Sequence, residues 1–319
     1  MKPVHPITRP LALLAVATML ALGVALPVRA TADDSSKPRG PIVKTKRIAP
    51  GLTFTTILRR KLPLRTFVLR ADLAEAITLD TTIATAALPS RRVLSRIVRS
   101  NAALAGVNGD FDEGVGNTVH PFAQDGELLH TAGPGAEMFA VTRDESQTFL
   151  DVPKVRVTVT DRSSGHVFVL DRWNRRAAEP GEIVGFSPLG GTLAAPPPFS
   201  CSVRMLPQGS LQPADPDGVE REFVVDVSIC SEAPLQPEGG VVISTPPGTE
   251  EATQLRALVP GTPMRLHWTL GWSNVFDAVG GDPILLRDGT SAPICTSCSR
   301  HPRTGLGVTA DGEILLVVI

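Results

Sequence analysis

From Phe139 to Leu270 turn-forming residues keep interrupting the chain, and what lies between them is short. "VRVTVT", "HVFVL", "EFVVDVSI", "GGVVIST" and "MRLHWTL" are runs of β-branched and apolar residues. Such side chains fit a pleated, half-buried surface, so each run reads as a strand. Proline-rich "AAPPPFS" and "LQPADPDG" read as loops, because proline removes a ladder donor. The helical exception is Glu250 to Leu258, stopped by Pro260-Gly261. These patterns predict an α+β chain with a mixed β-sheet core, a few helices and a β-rich middle region at about residues 140–270.

Ahead of that region, Leu52–Leu58, Arg65–Leu69 and Ala76–Ile83 also read as strands. Arg91–Ala102 has a different period. Val93, Leu94, Ile97 and Val98 recur at helical spacing, with Arg91, Arg92, Arg96 and Arg99 on the other side. Ser90 is placed to cap this helix. Ala103–Val107 then predicts a short buried strand leading into "NGDFDEG".

The N-terminus carries Lys2, His5 and Arg9, then an apolar stretch from Leu11 to Leu26, then small residues around Ala30. That order predicts a secretory signal peptide over residues 1–32. Pro27 ends the run short of the roughly 20 residues that a membrane span needs. Residues 33–50 read as a polar linker, and residues 51–319 as the working domain of a secreted, extracytoplasmic protein with no stable span after cleavage.

A hydrophobic share of 42% supplies a sizeable core, and a net charge of −1 argues against a nucleic-acid partner. Four cysteines fit an oxidising compartment. The favoured pairing is Cys201–Cys230 with Cys295–Cys298. Metal is the rival for the second pair, because Cys295, Cys298 and His301 have ligand-like spacing. No further pair completes a zinc set, so no metal is expected. Asp110, Asp112 and Glu113 fail the EF-hand pattern because Gly114 stands where a ligand belongs. Phosphate-cradling, dinucleotide and nucleophile-elbow motifs are absent, and no cofactor is expected.

Three separated stretches remain: "AGVNGDFDEGVGN" (residues 105–117), "AVGGDPILLRDG" (278–289) and "RHPRTGLGVTADGEILLVV" (300–318). Together they resemble the phosphodiester glycosidase family, over roughly Gly51 to Ile319. The resemblance implies an exported hydrolase acting on a sugar-1-phosphodiester, in a cell-envelope or exopolysaccharide setting. Family members usually continue past the last strand with D-G-R, a helix and an L-D-G-G-G-S stretch. The chain is therefore expected to lack C-terminal elements, and a carboxylate among them, so that it is inactive as it stands.

On this reading Asn108 and Gly109 form the family's turn and bind substrate, with Gly281, His301 and Thr304. Asp110 and Asp282 are the candidate catalytic carboxylates. Arg303 is the candidate for the phosphate, because a guanidinium forks onto two phosphate oxygens. Asp112 departs from the family's usual aromatic. Trp173, Trp268 and Trp272 could stack on sugar rings or pack in the core. The alternative is a secreted carbohydrate-binding or cell-envelope protein that keeps the fold without the chemistry.

Overall fold

The structure is a computed structural model. It describes residues 40–60, 62, 64–111, 116–131, 137–175, 178–193, 195–213, 218–292 and 301–319. Residues 41–319 form one compact unit, which carries the fold. The signal-peptide reading, Cys295, Cys298 and Asp112 fall outside the described residues.

Strands dominate, and α1 (Leu94–Ser100) and α2 (Glu250–Arg256) are the two α-helices among the described residues. The molecule is thus β-rich and largely all-β, and the α+β expectation overstates its helical share. The ladders are antiparallel except for Arg172–Trp173 beside Val184–Phe186, the one parallel pair among the described residues.

Three sheets hold the chain together. A five-stranded terminal sheet runs in the order Ile42–Ala49, Leu52–Arg59, Leu64–Ala71, Ile314–Val318, Thr304–Val308. A five-stranded middle sheet orders Glu127–His130, Phe122–Gln124, Val275–Gly281, Glu137–Thr142, Thr148–Asp151. An eight-stranded large sheet carries the β-rich middle of the sequence.

Alternation explains how these layers stack. In Glu137–Thr142, Met138 and Ala140 join the core of the large sheet, whereas Phe139 and Val141 join the core of the terminal sheet. Ala278 and Val279 divide in the same way. A strand covered on both faces reads as an unbroken apolar run, which is what "MFAV" is. Burying each large side chain there contributes about 2 kcal/mol.

Several local expectations are corrected. Within the expected linker, Ile42–Ala49 is a strand paired along its length with Leu52–Arg59. Residues 76–83 form no strand. They are an irregular strap pinned to the middle sheet by side chains instead of a ladder. Residues 103–107 form no strand either, and Ala105, Gly106 and Val107 are half-buried. Ser90 does not cap α1, which starts at Leu94 after an uncapped Val93. Instead the Ser90 N–H donates to the Gly116 carbonyl at 2.8 Å. The α2 helix matches its sequence signals, with the Thr249 hydroxyl accepting from the Ala252 N–H at 3.1 Å.

Cys201 and Cys230 lie directly opposite on neighbouring strands and are disulfide-bonded. Trp173 and Trp268 are buried in the large-sheet core, and Trp272 stacks on Phe149 with ring centroids 5.3 Å apart. Packing has taken the tryptophans.

Candidate active site

Asn108-Gly109-Asp110 turns over the end of the strand Val275–Gly281. A Cβ on Gly109 would come within 2.7 Å of Val279 Cγ2, so glycine is what allows this approach. The next residue is delivered inward: the Asp110 side chain is 2% exposed. Its Oδ2 accepts the His120 N–H at 2.7 Å, and its Oδ1 lies 2.5 Å from His120 Nδ1. Oδ1 also accepts the Phe111 N–H at 2.6 Å.

A carboxylate on Nδ1 calls for a proton there, which leaves Nε2 of a neutral ring as a base. The His120 side chain is 10% exposed, between Asp110 and the exposed Phe111, whose ring meets it edge-on at 6.2 Å. Gly280 closes the other side. Its Cβ, if it had one, would fall 2.0 Å from His120 Cβ. The first two sequence stretches thus meet at one place, around a histidine that the sequence reading did not select.

His130 sits behind this pair. It is 1% exposed, and its Nδ1 lies 3.3 Å from the Thr118 hydroxyl. Burial first, then the positive charge of Arg175, push its pKa down to about 4, while the His120 carbonyl pulls the other way. The ring is therefore neutral at physiological pH and serves as a pin for the 118–120 turn. Asn117, in the same turn, is buried, and among the described residues its Oδ1 has no hydrogen-bond partner.

A second buried carboxyl, Asp277, lies lower in the same strand. Burial pushes its pKa up to about 6, against hydrogen bonds from Thr81 and the Asp125 N–H. Its Oδ1 and the Ala123 carbonyl each lie 2.7 Å from the Thr81 hydroxyl. That hydroxyl has one proton for two acceptors, so a protonated Asp277 relieves the shortage.

The other sequence candidates are more scattered. Asp282 is exposed just past the strand, and a Cβ on Gly281 would meet nothing within 4 Å. His301, Arg303 and Thr304 are exposed. Thr304 pairs with Val318, and Val318 with Phe67, so these three share the sheet face that Val107 approaches. Arg303 exchanges both backbone hydrogen bonds with Ile319, one register position further on. By the alternation of a strand it falls on the opposite face. Among the described residues its guanidinium makes no ion pair, and none of its bonds reaches Asp110 or Asp282.

Comparison with known proteins adds to this geometry. No curated protein matches the sequence. A solved structure of a hypothetical protein from Synechocystis has a TM-score of 0.65 at 16% identity, covering 88% of this chain and 52% of its own. This chain therefore spans about half the length of that protein. A protein described as exported, from Burkholderia pseudomallei K96243, has a TM-score of 0.57 at 15% identity, covering 89% of this chain and 86% of its own. At these identities the likeness is one of fold. The match in sequence lies at the C-terminal end: residues 221–319, which hold the second and third stretches, match the model of the phosphodiester glycosidase family, the family that the three motifs together resemble.

Proposed function

We propose that the protein is an exported glycosidase that hydrolyses a sugar-1-phosphodiester, with Asp110 and His120 as its acid–base pair. The observation that carries this reading is the enclosed carboxylate–imidazole pair set between the Gly109 turn and Gly280 of the strand Val275–Gly281, on a chain whose C-terminal end matches the family model. Export is supported by the N-terminal charge and hydropathy pattern, by the Cys201–Cys230 disulfide and by the likeness to a protein described as exported. Among the described residues no helix is long and apolar enough to cross a membrane.

In this mechanism water attacks the anomeric carbon as the bond from that carbon to the phosphate oxygen breaks. His120 Nε2 takes the proton from water, and Asp110 holds the imidazolium that forms. A phosphate monoester leaves with the bonding electron pair, and the proton passes to it or to solvent. Such a leaving group needs little acid assistance. Asp282 is assigned to the positive charge developing on the sugar. Asn108, two residues before Asp110 in the same turn, is assigned to a sugar hydroxyl, and no role at this pair is given to Arg303 or Thr304, which lie on opposite faces of the terminal sheet.

The test is a panel of sugar-1-phosphate methyl diesters beside plain nitrophenyl glycosides, assayed with the full chain. In place of the expected inactivity, the Asp110–His120 pair gives the chain an acid–base couple of its own, so diester hydrolysis is expected, falling about 100-fold or more in His120→Gln. Turnover of glycosides with none of the diesters, or full diester activity in the His120 variant, would overturn the assignment. Binding of the sugars without turnover would favour a carbohydrate-binding protein.

A further inference from the structure

Residues 104–109 have an unusual backbone. The segment belongs to no helix or strand and Ala105, Gly106 and Val107 are half-buried, yet no backbone N–H or C=O from Leu104 to Gly109 makes a hydrogen bond among the described residues. Half-buried backbone polar groups are ordinarily paired. Two adjoining apolar hollows open along the same segment, sharing Phe54, Leu69 and Gly106 in their linings. One, of about 500 Å³, lies between α1 and the terminal sheet and is lined by Phe54, Leu69, Leu94, Val98 and Ala105. The other, of about 210 Å³, adjoins it beyond Gly106 and is lined by Phe67, Val107, Leu316 and Val318. Unpaired backbone bordered by apolar hollows is the arrangement that accepts an added strand: main-chain bonds give affinity, and alternate side chains fill the hollows.

The charge around the groove is of one sign. Arg99 lines the larger hollow, and Lys46, opposite Phe54 in the ladder, shares the groove's sheet face, as does Lys44. None of these three is in an ion pair among the described residues.

We propose that this groove binds an extended polypeptide segment from a separate protein, apolar at alternate positions and acidic at its ends, which pairs with the backbone of residues 104–109. The proposal does not rest on the glycosidase reading, although Asn108 and Gly109 at the end of the segment also belong to the candidate active-site turn.

The experiment uses the full chain and a labelled synthetic peptide that alternates valine and threonine between aspartate ends. Fluorescence anisotropy reads binding, and hydrogen exchange reads the amides from Leu104 to Gly109. Those amides are expected to exchange freely alone and to gain protection with peptide. Methylating the peptide's alternate backbone nitrogens should weaken binding about tenfold or more, the effect of losing little more than 1.4 kcal/mol. Arg99→Glu should weaken the aspartate-ended peptide by a similar factor and favour a lysine-ended one. Absence of binding, indifference to backbone methylation, or equal displacement by a fatty acid would overturn the proposal. So would protection of the same amides in a dimer of the protein without peptide.

Discussion

Gly280 has no room for a side chain, and its neighbour Gly281 has open space, which makes the pair an internal control. Gly280→Ala must displace His120 or bend the strand, at a cost of about 1–3 kcal/mol. Gly281→Ala should stay within about 0.5 kcal/mol of the parent. Chemical denaturation of the two variants reads the difference, and equal midpoints would refute the close approach to His120. The same contact explains what could be read in advance at this scale. Asp110 was legible because an asparagine–glycine turn marks a special backbone position. His120 was not, because "TVHPF" carries no motif. Its role comes from a carboxylate ten residues earlier and from a strand brought back from much further along the chain. Arg303 shows the converse: residue type suggested a phosphate ligand, while the face it occupies depended on the register of Thr304–Val308 with the last strand.

Among the elements, the strap over residues 77–83 has the most unusual attachment. Glu145 accepts the Leu79 N–H at 3.0 Å, Gln124 accepts the Ile83 N–H at 3.2 Å, and Asp277 accepts from Thr81. The sequence suggested a strand here because "AITLDTTI" has the right composition. Which backbone groups find a ladder depends on neighbours that no local pattern reports. Asp277 makes this attachment sensitive to pH. Its folded pKa of about 6 lies above the ordinary 3.8, so the folded chain holds the proton more tightly than the unfolded chain. The stability it contributes is full below the ordinary value and is lost as pH rises toward 6, by about 3 kcal/mol at most. Glu145 and Glu127 are also raised by burial and act in the same direction. Urea denaturation at pH 4.5 and pH 7 should therefore show a difference that shrinks by about 2 kcal/mol in Asp277→Asn. An unchanged difference would mean that the carboxyl is ionised throughout.

At the scale of the whole molecule, the short strands and β-rich middle were legible, and the stacking of three sheets was not. Ile314–Val318 pairs with Leu64–Ala71 across most of the chain, and such pairings leave no trace in a sequence window. Cysteine number and compartment favour the Cys201–Cys230 pair, and it falls within one hairpin of the large sheet. Its separation of 29 residues makes it a local staple, and closing such a loop is worth about 3 kcal/mol, chiefly through the unfolded chain. The double variant Cys201→Ser, Cys230→Ser should lower the unfolding free energy by about that amount. Hydrogen exchange should locate the loosening in Ser200–Pro213 and Val219–Ser231 before it reaches the middle sheet, because those two strands pair along most of their length and carry much of the large-sheet core. The Asp110–His120 pair is held by the middle sheet and its flanking turns, so its hydrogen bond should persist in that variant. Nitrogen NMR of the His120 ring reads this directly. A proton lost from Nδ1 on removing the disulfide would show that the large sheet and the site unfold as one unit.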